Sequence, residues 1–144
     1  MIGSERERDF YDRQYARFLA LPDHALRLDR QVLEGNIDNP SHPFYERRWL
    51  YRAAIRALES EPLPGRRVLD YGCGPADFGI WMATEGARVT LLDLSPAAIE
   101  VALKRARKPR GWRSAGLPRT PAVSTCWAAG SSIWYSRAPP CTTP

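Results

Sequence analysis

Two glycines flanking a single residue, Gly72-Cys73-Gly74, follow directly on the apolar run Val68-Leu69-Asp70-Tyr71 and stand just before a helix expected from about Ala76. Glycine permits positive φ and lets a backbone approach a ligand where a Cβ would block it, and the helix start offers free N–H groups. Standing alone, the turn also fits a tight strand-to-helix connection with no ligand. A second acid changes that reading. Asp93 ends the next apolar run, Arg88-Val89-Thr90-Leu91-Leu92, at the place where a doubly wound sheet sets a carboxylate over its carboxyl edge to accept ribose hydroxyls. Ser95 supplies the helix cap behind it, so Asp93 is left with no evident structural task.

Other nucleotide motifs fail on the same letters. A dinucleotide-binding G-x-G-x-x-G beginning at Gly72 needs glycine where Asp77 stands, and the G-K-[ST] of a P-loop is absent. Acids beside the turn would repel a pyrophosphate and suit a ligand bearing positive charge.

The elements that must position these residues alternate in kind. A strand over Arg67–Tyr71, a helix from about Ala76 to Glu85 stopped by Gly86, a strand over Arg88–Asp93, and a helix opened by Ser95 and Pro96 form a βαβα unit. Such a unit predicts a parallel sheet with right-handed crossovers in an α/β fold. Residues 1–62 read as helical. Phe10, Tyr11, Tyr15, Phe18 and Leu19 share one helical face, and Asp23 to Asn39 is less periodic. A clearer helix is expected with Ser41 as cap, Pro43 in its first turn, and an apolar stripe of Tyr45, Trp49, Leu50, Ala53, Ala54, Ala57 and Leu58. Arg48, Arg52 and Arg56 recur every four residues on another face, which reads as solvated.

Residues 109–144 differ from everything before them. They hold six of the 13 prolines and three of the five tryptophans, with no acid and no sustained period of 2 or 3.6, so they are expected to be disordered. The net charge of +5 belongs to this end: the first hundred residues carry 13 arginines and all 16 acids, a net of −3, against eight basic and no acidic residues in the last 44. Basicity confined to a tail, with no recognisable binding element, argues against a nucleic-acid partner. No apolar run approaches the roughly 18 residues of a membrane span, and no secretory leader opens the chain, so a cytoplasmic location is expected. Cys73, Cys126 and Cys141 form no CxxC pair, and His24 and His42 are isolated, so no metal is assigned.

Val68 to Gly74 resembles the glycine-rich first motif of class I S-adenosylmethionine-dependent methyltransferases, and Val89 to Pro96 resembles their second-strand motif. The resemblance implies that Asp70, Gly72 and Gly74 line the methionine end of S-adenosylmethionine, that Asp93 binds its ribose hydroxyls, and that Leu94 packs on the adenine. It implies lid-like helices over 1–62 and a partial cofactor domain over 63–108. Ala76 departs from the family, which commonly has a third glycine there. Cys73 is common at its position and receives no catalytic role; no catalytic residue is assigned.

After residue 108 the resemblance stops. The family's third strand, its acid near the adenine, and the fourth strand that pairs beside the first and faces the methyl acceptor are not visible in the sequence. The expected architecture is therefore an incomplete Rossmann-like sheet with N-terminal helices and a disordered tail, leaving an apolar sheet edge open to self-association. The implied activity is methyl transfer to O, N or C of a small molecule, in a chain that is truncated and poorly active or inactive as written. The alternative is a non-catalytic fragment that binds cofactor weakly or binds a protein partner. The tail itself suggests a frameshift near residue 108. With G/C-leaning codons, Ser132 to Thr143 read from the third base of each codon can give Asp-Leu-Val-Phe-Ala-Arg-Ala-Ala-Leu-His-His, in which the Val is forced. That string resembles the family's fourth-strand segment.

Overall fold

A computed structural model describes the backbone of residues 2–107, 122–129 and 132–136, and side chains within 5–107. The helix α1 (Ile2–Leu19) leads to a short 3-10 turn at Asp23–Leu26, then to α2 (Arg30–Asp38), a second 3-10 turn at Tyr45–Arg47, and α3 (Arg48–Glu59). The βαβα unit follows as β1 (Arg67–Tyr71), α4 (Asp77–Thr84), β2 (Arg88–Asp93) and α5 (Pro96–Ala106). Both strands fall where their apolar runs place them, and β1 pairs with β2 in parallel, Val68 opposite Val89 and Asp70 opposite Leu91. This is an incomplete α/β Rossmann-like unit.

Residues 109–144 were expected to carry no regular structure, yet two further strands are described there. Strand β3 (Ala122–Ala129) lies parallel to β2, and β4 (Ser132–Ser136) runs antiparallel to β3, giving the order β1-β2-β3-β4. The prolines that argued against a strand, Pro118, Pro121, Pro139 and Pro140, all lie outside these two runs. The rest of the tail lies outside the described residues.

Strand alternation divides the sheet into two unlike faces. Val89 and Leu91 join Ile80 and Ala83 of α4 and Ile99 and Ala102 of α5 in one buried cluster. The opposite face of β1 carries Leu69, 60% exposed, and Tyr71, 79% exposed. Among the described strands β1 ends the sheet, so its outer N–H and C=O groups face no strand.

The α5 start follows the sequence signal. Ser95 accepts from the Ala98 N–H at 3.1 Å, and Pro96 stands first in the helix. The N-terminal helices depart from it. Asp29 caps α2 by accepting from the Val32 N–H at 3.0 Å, and Leu33 and Ile37 one turn apart are buried, in a stretch that looked aperiodic because its apolar positions are few. Ser41 and Pro43 open no helix: Asn39 accepts from the Ser41 N–H at 3.0 Å, which holds a turn, and α3 begins at Arg48. Its buried side is Ile55, with Tyr51, Ala54 and Leu58 half-buried, while Trp49 and Leu50 are exposed. Most of the expected stripe, Trp49, Leu50, Ala53 and Ala57, faces outward, and the core is met instead by Tyr51 and Ile55, which the stripe left out, together with Ala54 and Leu58. Arg52 pairs with Asp38, and Arg48 lies 4.2 Å from the Tyr45 ring centre, which leaves the arginine face on the outside. Among the described residues no helix is long and apolar enough to cross a membrane.

The helix α4 starts one residue later than expected because Ala76 adopts the left-handed conformation, φ 58° and ψ 45°. A residue with a Cβ is disfavoured there by about 1–2 kcal/mol, which is why glycine suits this position. Ala76→Gly relieves that strain but loses a buried methyl, about 0.8 kcal/mol, and some chain entropy. The expected result is near neutrality, within about 1 kcal/mol, whereas Ala98→Gly inside α5, equally buried, is expected to cost about 2 kcal/mol. Urea midpoints of the two variants check this, and equal losses would mean that Ala76 carries no strain.

Candidate functional site

The glycine turn and the second acid meet in space because the parallel register brings the carboxyl ends of β1 and β2 level. Gly72 and Gly74 both take positive φ, 65° and 52°. The turn folds over the end of β2, with the Gly72 and Cys73 N–H groups donating to the Leu92 carbonyl at 2.8 and 3.2 Å. The Gly74 N–H then donates to Asp93 Oδ2 at 2.7 Å, and the Ser95 N–H donates to Asp93 Oδ1 at 2.8 Å. Asp93 therefore has a structural task that the sequence did not show: it fastens the glycine turn to the start of α5. Each of its oxygens retains a lone pair for a further donor.

Arg105 of α5 braces the same turn from below. Its Nη1 lies 3.1 Å from Asp77 Oδ1 and donates to the Pro75 carbonyl at 2.9 Å, with both charged side chains about nine-tenths buried. Asp77, the residue that excludes a dinucleotide glycine pattern, is thus the helix-start partner of Arg105.

A cavity of about 430 Å³ opens beside the turn, lined by Tyr71, Gly72, Leu92, Asp93 and Leu94 from the sheet end and by Glu7, Tyr11 and Tyr15 from α1. A Cβ on Gly72 would meet nothing within 4 Å, and one on Gly74 would sit 2.9 Å from the Tyr15 hydroxyl. Burial, and then the Asp93 charge, push the Tyr15 phenol up from its ordinary range. Burial likewise raises the Cys73 thiol, which stays protonated and is a poor nucleophile.

Of the five residues singled out from the sequence, Gly72, Asp93 and Leu94 line the cavity, and Gly74 borders it beneath Tyr15. Asp70 does not line it. Its carboxylate lies against Gly79 in the first turns of α4, where a Cβ on Gly79 would come within 2.7 Å of Oδ2, and it accepts from the Gly79 N–H. The cavity wall from α1 was missed: Tyr11 and Tyr15, four residues apart, read as a core-facing pair, and only their stacking over the turn, ring centres 6.0 Å apart, shows them to be a rim.

Burial holds the Asp70 carboxyl above its ordinary range, opposed by the Gly79 N–H, with the charges of Asp77 and Asp93 adding to the rise. The native state thus keeps this proton to a higher pH than the unfolded chain does. The associated stability is present below 3.8 and is lost as pH rises through the folded value. Asp70→Asn keeps an acceptor for Gly79 and removes the charge. Its melting temperature is therefore expected to gain on the parent as pH rises through the range just above 3.8; parallel melting curves would show that the charge costs nothing.

A strand, a glycine turn with two left-handed residues, a helix, and a second strand whose terminal acid holds that turn have the layout of the front of a Rossmann-like unit. Residues 63–110 match the family model described as a methyltransferase domain. The chain is 40% identical over 68 residues to the ribosomal protein L11 methyltransferase of Burkholderia mallei, covering 46% of this chain and 23% of that protein. It is 52% identical over 86 residues to the ubiquinone biosynthesis O-methyltransferase of Xanthomonas campestris, covering 55% of this chain and 34% of that one. Over this stretch the chain is similar to methyltransferase domains. The chain spans between about a quarter and a third of the length of these relatives.

Proposed function

We propose that the cavity between α1 and the two strand ends binds S-adenosylmethionine, and that the protein serves methyl transfer to a small-molecule acceptor. The observation that carries this reading is the lining itself: two carboxylates, three tyrosines, a glycine turn and, among the described residues, no basic side chain. A phosphate-bearing ligand finds no counter-charge there, whereas a sulfonium and an amino group do. Its size lies within the usual range for small-molecule sites, roughly 300–1,000 Å³. In this reading Asp93 accepts the ribose hydroxyls on its remaining lone pairs, Leu94 packs on the adenine, and Gly72 and Gly74 border the methionine end. Asp70 acts from beneath the turn by fixing the start of α4.

Held there by Asp93, Leu94 and the Gly72–Gly74 turn, the cofactor would supply an electrophilic methyl on sulfur to an O, N or C nucleophile of the acceptor. The described residues contribute positioning and exclusion of water. No side chain among them is assigned as the base. A small-molecule acceptor is supported by the higher identity, 52% over 86 residues against 40% over 68, to the ubiquinone biosynthesis enzyme than to the ribosomal-protein enzyme. We place the protein in the cytoplasm.

A second reading has its own observation. The open outer edge of β1, with Leu69 and Tyr71 exposed, marks a sheet that stops where a further strand would pair. On that basis the 144-residue chain is a cofactor-binding piece with little or no turnover, able to self-associate through this edge, and its last residues come from an out-of-frame reading near residue 108. The family match ends at residue 110, which supports this reading. The test is a calorimetric titration with S-adenosylmethionine beside an assay for methyl release to water and to a panel of small O, N and C nucleophiles. Binding without turnover is the expected outcome, and vigorous turnover by the pure chain would refute the second reading. Sequencing the gene tests the frameshift: a stop codon in the shifted frame between the codons for 108 and 132 would rule it out.

A further inference from the structure

One contact of α1 lies outside the cavity yet is tied to it. Asp12 sits between Tyr11 and Tyr15, the two rings that α1 contributes to the wall. Its Oδ1 accepts from the Ser95 hydroxyl at 2.5 Å and from the Ala97 N–H at 3.1 Å. Ser95 is fully buried, so its hydroxyl depends on these partners: it donates to Asp12 and accepts from Ala98. A carboxylate from more than eighty residues away thus occupies the positive end of α5 and satisfies a helix-start N–H that the Ser95 cap leaves free.

The contact continues into the site. The Ser95 N–H donates to Asp93, and Asp93 accepts from Gly74, so α1, the α5 start, the acid and the glycine turn form one hydrogen-bonded series. Farther along α1, Lys104 Nζ donates to the carbonyls of Leu19 and Leu21 at 2.9 and 2.7 Å. The helix is therefore anchored at its C-terminal end and clasped at its middle. The half that reaches over the cavity, bearing Glu7 and Tyr11, has no hydrogen bond to the rest of the protein among the described residues.

We propose that Asp12 is a positioning residue: it clasps α1 in its seat over the cavity, so that the wall supplied by Tyr11 and Tyr15 is held against bound ligand. The inference rests on the proposed cofactor site and adds a residue that does not touch the ligand. Releasing the clasp frees α1 to lift about its Lys104 anchor while the sheet end keeps its own contacts to the ligand. The departure rate then rises and the arrival rate changes little.

The experiment uses the full chain and two readouts. Stopped-flow measurement with S-adenosylmethionine is expected to give Asp12→Ala a dissociation rate about tenfold higher, corresponding to the loss of one charge-assisted contact, with association within about twofold. Trypsin acting on the ligand-free protein is expected to cut after Arg13 and Arg17 about tenfold faster in the same variant. Asp12→Asn, which offers an acceptor to the same two donors, should return both values to within about threefold of the parent. Asp12→Ser, too short to bridge, replaces the alanine variant if that one does not fold. Parental dissociation and cleavage rates in Asp12→Ala would overturn the clasp. Faster cleavage with an unchanged dissociation rate would overturn its role in ligand retention. If the parent binds no S-adenosylmethionine, the proposed cofactor fails, and trypsin still decides whether Asp12 holds α1.

Discussion

Replacing Asp93 with alanine is expected to weaken S-adenosylmethionine binding at least tenfold and to destabilise the free protein as well. Two ribose hydrogen bonds to a charged acceptor are worth roughly 1.5–3 kcal/mol each, which sets the lower limit. The structure adds a second loss, because the Gly74 and Ser95 N–H groups both donate to this carboxylate. Stranding a buried donor costs about 1–3 kcal/mol, and the glycine turn is then free to drift from the geometry that opens the cavity. Asp93→Asn, with one oxygen acceptor in place of two, should fall between alanine and the parent. Calorimetry and thermal melting on the same samples separate the two effects. Unchanged affinity in the alanine variant would remove Asp93 from the site, whatever happened to its stability.

The largest effect on folding alone is expected at Trp81. Its side chain is 1% exposed, at the centre of the cluster that α4 presents to the sheet, with the Phe78 ring 6.2 Å away. Truncation to alanine removes a buried aromatic and leaves a void, which typically costs 3–5 kcal/mol, about the whole stability of a small, partly covered sheet. The indole Nε1 has no hydrogen-bond partner among the described residues, so Trp81→Phe gives up no bond and removes an unsatisfied donor. Phenylalanine is smaller than the indole and leaves part of the void, so it is expected to cost less than alanine, about 1–2 kcal/mol. Circular dichroism and urea titration check both. An alanine variant that melts with the parent would mean that the cluster collapses without a void.

The two strands and the α5 start were legible because each is marked twice, by an apolar run and by punctuation. Gly72 and Gly74 close the first run, and Ser95 with Pro96 closes the second. The place of Asp93 beside the cavity was legible for an incomplete reason. Its position relative to the strand pointed to a ligand, but elimination gave it no structural work, and two backbone donors, the N–H groups of Gly74 and Ser95, turned out to depend on it. Asp70 shows the converse. The family motif sets it at the methionine end, and the side-chain direction, alternating along β1, turns it under α4. Tyr15 and Asp12 were beyond reach from sequence, since their roles arise from contacts about 60 and 85 residues away. In α3 the helical period was plain but the buried sector was not, because Trp49 and Leu50 on one side rival Tyr51 and Ile55 on the other in apolar area. The strands at Ala122–Ala129 and Ser132–Ser136 lacked any alternation that would have marked them.

The bare outer side of β1 bears on how proteins of this topology are made. A ribosome adding about 5–20 residues per second delivers the first two strands well before the later part of the domain. For several seconds every such nascent chain holds Leu69 and Tyr71 in the open, as this structure does. The backbone groups along Arg67–Tyr71 are what a ribosome-associated chaperone would have to shield until the rest of the polypeptide arrived.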